Sequence, residues 1–352
     1  MQELKGNRFG THRVIEPQGV LPQPANRVDN DMTKLYDNEI MCDVKTLNVD
    51  SASFTQIKDE AEGNIDRIKE IMLSIVARFG KHKNPVTGSG GMFIGTVKRV
   101  GSALKGKIDL KEGDRIASLV SLSLTPLQIN KIIEVHKDTD QVDIEGQAIL
   151  FESAIWAKLP DDMDDKLALA ILDVAGAPAQ TARLVQPGQR VLIIGASGKS
   201  GLLCSYVAKK YAGVTGQIIG TTTSNSGLEF LNGLPFIDDA FKIDASNAVE
   251  MYEKVKEITA GKMADVVISC VSRPDCEMGA ILPCREDGIV YFFSMATSFT
   301  KAALGAEGVG MDMTMLIGNG YTRDHAKIAL EFIRESPVLR KIYEERYVVN
   351  AL

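Results

Sequence analysis

The sequence is short of histidine, of paired cysteines and of long apolar runs, and each shortage removes a class of protein. Its five cysteines (Cys42, Cys204, Cys270, Cys276, Cys284) are odd in number and contain no CxxC pair. Free thiols in a reducing cytoplasm explain that better than a disulfide frame or a zinc finger. No apolar stretch approaches the roughly 20 residues that a membrane-crossing helix needs. The segment "MQELKGNRFGTHR" lacks the apolar stretch of a secretory signal. A cytoplasmic protein without a membrane partner is therefore expected. Positive charge is not in excess either. Against 46 Asp and Glu stand 40 Lys and Arg, for a net charge of −6, which argues against a nucleic-acid partner. There are no repeats and no low-complexity stretch.

What is present is an ordinary packed composition, 45% hydrophobic and 24% charged over 352 residues. That length exceeds the roughly 250–300 residues at which single cores stop growing, so two domains are expected. The first 155 or so residues carry short β-like runs, such as "NEIMCDVKTLNVD" and "GGMFIGTVKRVG". One helix interrupts them, because Ile68, Ile71, Met72, Ile75 and Val76 recur at helical spacing. From Pro160 the texture changes. The stretch "LPDDMDDKLALAILDVAGAPAQTARL" opens with acids suited to a helix N-terminus. Strands at Arg190–Ile194, Gln217–Thr221, Ala264–Cys270 and Gly288–Phe293 then alternate with helices, including Lys199–Ala212 and Val249–Ala260. This rhythm predicts an α/β lobe with a doubly wound parallel sheet. Beyond Ala303 an irregular stretch is expected, closed by a helix at Arg323–Glu335.

The chemistry centres on "VLIIGASGKSGLLCSYVAKK". Gly198-Lys199-Ser200 matches the end of an ATP-binding loop, but that loop needs another glycine five residues earlier, where Ile193 stands. The dinucleotide reading fits: a strand, then Gly195, Gly198 and Gly201, then a helix. The glycines would allow a tight turn, close approach of a pyrophosphate, and packing of helix on strand. Amides at the helix start, with Ser197 and Ser200, would meet the phosphates. Lys199 is read either as a phosphate contact or as a solvated side chain. An acid about 20 residues on would mark NAD, and Arg would mark NADP. Here "GTTTSNSGLEF" offers Thr222, Thr223 and Ser224, and no Lys or Arg occurs from Gly213 through Phe241. NAD is favoured and NADP stays possible. Cys270, Val271 and Ser294 follow later strands at the same carboxyl edge and are further cofactor candidates.

A β-rich lobe, a glycine-turn lobe and a returning C-terminus resemble the medium-chain dehydrogenase/reductase superfamily. The landmarks are "LNVDSASF", "VGSALKGKIDLKEGDRIASLV", "LAILDVAGAPAQTARLVQPGQRVLIIGASGKSGLL" and "GIVYFF". The resemblance implies a GroES-like catalytic domain at 1–157 and 306–352, a Rossmann domain at 158–305, and a homodimer. In zinc-dependent members Cys, His, Glu and a further Cys or Asp ligate the metal. The matching regions here hold Asp50 and Ser51, Ser89 and Gly90, and Asp173. Without imidazole or thiolate no zinc site is expected. "GTHRVIEPQGVLPQPA", "LNVDSASFTQIKDEA" and "NPVTGSGGMFIGTV" are similar to the family of L-erythro-3,5-diaminohexanoate dehydrogenases. That resemblance implies NAD-linked oxidative deamination of a small diamino acid in lysine fermentation.

Amine oxidation needs a base for the ammonium proton and acids facing the cationic substrate. Asp50 is the leading candidate, with a turn-capping role as the alternative. Asp173 is read as an amine ligand or a structural acid, and Ser51 and Ser89 as groups orienting substrate or water, or as turn residues. His12 is considered as a proton shuttle and Arg13 or Arg323 as carboxylate binders; a solvated face would explain His325 and Arg323. Two other readings stay open, an NADPH-dependent quinone or enone reductase and a dinucleotide-binding protein without turnover.

Overall fold

The computed structural model describes residues 4–318 and 320–349 and divides into two compact units. Residues 1–173 with 345–352 form the first, and 174–344 the second. This differs from the division expected at 157/158 and 305/306: residues 158–173 stay with the first unit and 306–344 with the second.

In the first unit a short pair, β1 (Val14–Glu16) and β2 (Arg27–Val28), precedes the main sheet. That sheet contains β3 (Glu39–Asn48), β4 (Met92–Val100), β5 (Arg115–Ser118), β6 (Leu127–His136), β7 (Gln141–Phe151) and β8 (Trp156–Lys158). Its strands are antiparallel, in the order β6-β7-β3-β4-β5-β8. Two helices, α1 (Ser51–Glu60) and α2 (Ile65–Phe79), separate β3 from β4. Asn64 caps α2 by accepting from the Arg67 amide, and the left-handed Gly80 ends it. A side chain at Gly80 would meet the Val28 carbonyl at 2.1 Å, so glycine is required there for packing as well as for its φ of 70°. The predicted face of α2 buries Ile68, Met72, Ile75 and Val76 in the sheet's core, with Ile71 at its rim.

The acidic opening after Pro160 does start a helix: Asp164 caps α3 (Asp165–Leu172). The chain breaks at Asp173, and α4 (Gly176–Leu184) begins the second unit. Its parallel sheet holds β9 (Arg190–Ile194), β10 (Gln217–Thr222), β11 (Asp239–Lys242), β12 (Ala264–Ser269), β13 (Cys284–Phe292) and β14 (Thr314–Ile317). The order is β11-β10-β9-β12-β13-β14. Its helices are α5 (Lys199–Ala212), α6 (Asn225–Asn232), α7 (Ala248–Ile258), α8 (Glu277–Ile281), α9 (Phe299–Val309), α10 (His325–Glu335) and α11 (Pro337–Glu344). The expected α/β class is met: the first unit is a β-rich antiparallel lobe and the second a doubly wound Rossmann sheet.

The region beyond Ala303 is thus regular, contrary to expectation. α9 and β14 occupy it, and β14 pairs with β13 from Ile289↔Thr314 to Phe292↔Ile317. The methionines of "GMDMTMLIG" pack on the Rossmann core, with Met311, Met313 and Met315 at its edge. Residues 306–344 therefore belong with the Rossmann unit. Among the described residues no helix is long and apolar enough to cross a membrane.

Candidate functional site

The parallel sheet reverses direction of growth between β9 and β12, and crevices form at the carboxyl edge of such a point. A cavity of about 240 Å³ lies there. Its floor is the turn from β9 into α5, where Gly195 has φ 80°. A side chain at Gly201 would lie 2.1 Å from the Gly195 carbonyl, so this glycine is fixed by contact of helix and strand. Gly198 differs. Its φ is −80°, and an added Cβ would meet only the Gly195 carbonyl, at 3.3 Å, in otherwise open space. A diphosphate can approach main-chain amides at that opening, at the start of a 14-residue helix. The residues present fit a dinucleotide.

Of the predicted cofactor residues, Gly195, Ser197, Gly198, Thr222, Thr223, Cys270 and Val271 line this cavity together. The Ser197 hydroxyl lies 3.0 Å from that of Thr222 and ties the glycine turn to the second strand. Lys199, Ser200, Gly201, Ser224 and Ser294 are not among the lining residues. Lys199 opens α5, and its carbonyl accepts from Tyr343 of α11. Ser200 is buried in the first turn of α5. Ser224 caps α6 through the Gly227 amide, and Ser294 caps a turn through that of Ala296. Behind the cavity the Cys270 and Cys204 sulfurs are 4.0 Å apart, and burial pushes the Cys204 thiol well up. Sequence reasoning missed Ile243, Asp244, Ala245 and Arg273, all of which line the cavity. No motif marks them: β11, which precedes the first three, is short and polar, and Arg273 lies in the loop after β12.

In the first unit, Asp50, Ser51, Ser89 and Asp173 gather around the end of β3 and the loop before β4. Asp50 is half-buried and caps α1, its Oδ1 accepting from the Ser53 amide at 3.3 Å. Asp173 ends α3, exposed, and its Oδ1 accepts from the Asn48 side chain at 3.3 Å. Both acids are thus tied to the carboxyl end of β3. The loop carrying Ser89 folds against the same place. A side chain at Gly91 would lie 2.1 Å from the Asn48 carbonyl and 2.8 Å from the Asp50 amide. The Thr87 hydroxyl is 2.5 Å from that of Ser53. Ser89 supplies its carbonyl to the Asn84 amide. Ser51 is the exception in chemistry: its hydroxyl donates to Asp140 at 2.7 Å, so it holds a structural bond.

Of the other ionisable candidates, His12, Arg13 and His325 are engaged elsewhere. Arg13 is fully buried, and its guanidinium grips the Glu39 carboxylate through two bonds of 2.7 Å, with His12 on the same carboxylate at 2.9 Å. Burial opposes charge on both members of the Arg13–Glu39 pair. Their mutual hydrogen bonds outweigh it, holding the carboxyl below and the guanidinium above ordinary values. This cluster fastens the N-terminal segment and is no carboxylate binder. His325 is buried against Tyr321 instead of lying on a solvated face, while Arg323 is exposed. One group with metal-ligand chemistry occurs among the described residues, Glu134, His136 and Asp143 on β6 and β7. There His136 and Thr46 already bond Asp143.

Residues 12–160 match the sequence profile of the L-erythro-3,5-diaminohexanoate dehydrogenase N-terminal domain. The chain is 56% identical over 345 residues to an L-erythro-3,5-diaminohexanoate dehydrogenase of Acetoanaerobium sticklandii, covering 98% of this chain and 100% of that one. It is also 56% identical over 347 residues to the enzyme of that name from Fusobacterium nucleatum subsp. nucleatum, covering 98% and 99%. Among solved structures it resembles a mycobacterial quinone oxidoreductase, with a TM-score of 0.53 at 17% identity over 94% of this chain and 88% of the other. The Escherichia coli quinone oxidoreductase complexed with NADPH gives 0.51 at 17% identity, over 87% and 81%. At that identity the likeness is one of fold.

Proposed function

The chain belongs to the L-erythro-3,5-diaminohexanoate dehydrogenase family, and on that premise we propose how its own residues carry out the family's reaction. It is an oxidoreductase that uses a nicotinamide dinucleotide, and the reaction is oxidative deamination at C3 of L-erythro-3,5-diaminohexanoate. The products are 5-amino-3-oxohexanoate, ammonia and the reduced coenzyme, a step of lysine fermentation. The observation that carries this reading is 56% identity across 98% of the chain. When bound, the coenzyme supplies the hydride acceptor.

The remaining work falls to the acids at the end of β3. Asp50 receives the proton of the C3 ammonium, since only the neutral amine can release hydride from its carbon. Its Oδ1 is oriented by the α1 amide, and its Oδ2 makes no hydrogen bond among the described residues. Asp173, steadied by Asn48, faces the second ammonium. Ser89 orients the water that replaces nitrogen. Asn48 and the Asp50–Ser53 cap keep these groups in place without a metal. We assign a homodimer, on the open edge of β14 and the exposed Met295, Phe299 and Leu304 nearby in sequence. The reading also places the enzyme in the cytoplasm.

Incubation with NAD⁺ and 3,5-diaminohexanoate should generate NADH absorbance, undiminished by exhaustive chelation. Asp50→Asn should lower kcat by about 100-fold or more, the usual scale for a lost general base, while the Kd for NADH holds. Silence with the diamino acid, together with quinone reduction by NADPH, would replace this reading.

A further inference from the structure

In dinucleotide sites an acid at the end of the second strand ordinarily meets the adenosine ribose. No Asp or Glu occurs between Gly213 and Leu228, and Thr222 and Thr223 stand in that part of the cavity wall. The neighbouring strand supplies an acid. β11 runs parallel to β10 with Lys242 opposite Thr222, so Asp244 emerges level with Ser224. Asp244 lines the same cavity. Its Oδ1 is fixed by the Ser246 amide at 3.0 Å and the Ser246 hydroxyl at 2.8 Å. Its Oδ2 faces Arg273 Nη1 at 3.2 Å.

Arg273 arrives from the loop after β12, on the far side of β9 and β10 in the sheet. The pair therefore bridges the ends of the two strands where a dinucleotide's adenosine half belongs. Among the described residues lining the cavity, Arg273 is also the one cation. It is the group that would attract a 2′-phosphate, and a carboxylate already neutralises it.

We propose that Asp244 sets the coenzyme preference: it replaces the missing strand-end acid as acceptor for the adenosine ribose hydroxyls, and it withholds Arg273 from a 2′-phosphate. A 2′-phosphate carries about −1.5 to −2 charge near neutral pH. Placed at this wall it meets the Asp244 carboxylate before any free cation, so NADP is disfavoured. The adenosine diol of NAD instead offers two donors. This inference rests on the dinucleotide reading of the cavity.

The test is binding, independent of turnover. Asp244 and Arg273 are 48% and 64% exposed, so their pairing contributes little to stability and the variants should fold. The Kd values of NADH and NADPH are measured by coenzyme fluorescence on the full chain and on Asp244→Asn. The variant's preference should shift towards NADPH by about tenfold or more, the scale of a charge-assisted hydrogen bond. Adding Arg273→Ala to it should abolish that gain. A smaller shift, an equal weakening of both coenzymes, or a gain that survives Arg273→Ala would overturn the proposal. If neither coenzyme binds the unaltered protein, the cavity assignment itself fails.

Discussion

A histidine placed wholly inside a protein is kept neutral by the cost of desolvating its charge. His82 is in that position: it is fully buried, neither ring nitrogen has a hydrogen-bond partner among the described residues, and burial lowers its pKa from 6.5 to about 4. Between those values the unfolded chain binds a proton at this ring and the native chain does not. Stability is therefore whole above about pH 6.5 and falls as pH drops towards 4, by up to about 3 kcal/mol from this ring. The expected outcome is that the urea midpoint drops between pH 7 and 4.5, and that His82→Leu shows a smaller drop over the same interval. Equal acid sensitivity in both proteins would assign the loss to other groups. Nothing local in "GKHKN" reveals this burial. The same holds for His12 and Arg13, whose partner Glu39 lies 26 residues beyond Arg13 and follows no periodic pattern. The positions of two acids could be read from the chain. Asp50 and Asp173 stand at landmark positions; Asp50 caps α1, and Asp173 accepts from Asn48 at the end of β3. The part played by Ser51 could not, because its bond to Asp140 crosses 89 residues.

At the scale of elements, the turn from β9 into α5 was readable because strand, glycines and helix follow one another without interruption, and both predicted spans coincide with those observed. Strands with polar starts were harder. "CRED" begins β13 four residues before the apolar run at Gly288. The edge strands β11 and β14 present mostly half-buried or exposed positions, so their hydrophobic signal is weak. Asp265 shows what such starts do: it binds the Arg190 amide and guanidinium and the Arg285 guanidinium, pinning β9, β12 and β13 at one end. The glycines of the turn separate folding from binding. Gly201→Val should reduce Tm and soluble yield, because any Cβ collides with the Gly195 carbonyl. Gly198→Asp should keep the circular dichroism spectrum and Tm while NADH binding weakens beyond about 100-fold, since a carboxylate then occupies the diphosphate position. Unchanged NADH affinity in Gly198→Asp would show that the diphosphate lies elsewhere.

At the scale of the molecule, the boundary of the Rossmann unit is a claim about which segments share a core. The sequence places its end near residue 305 because regular patterning fades there, but a core is defined by contact and not by periodicity. β14 completes the sheet beside β13, and α10 packs on α4 and α5. α11 delivers Tyr343 to the Lys199 carbonyl beside the glycine turn. A fragment ending at 305 would strip away the burial of Phe332, Ile333, Leu339 and Tyr343, all under 5% exposed. At about 2 kcal/mol each, that loss is comparable to the whole stability of an ordinary domain, roughly 5–15 kcal/mol. The continuous segment 174–344 keeps all six strands, the glycine turn and every residue lining the coenzyme cavity. Expressed alone, it should unfold cooperatively and bind NADH with a Kd within about tenfold of the full chain, while 158–305 should be insoluble or lack a thermal transition. A soluble, NADH-binding 158–305 would move the boundary back to where periodicity places it.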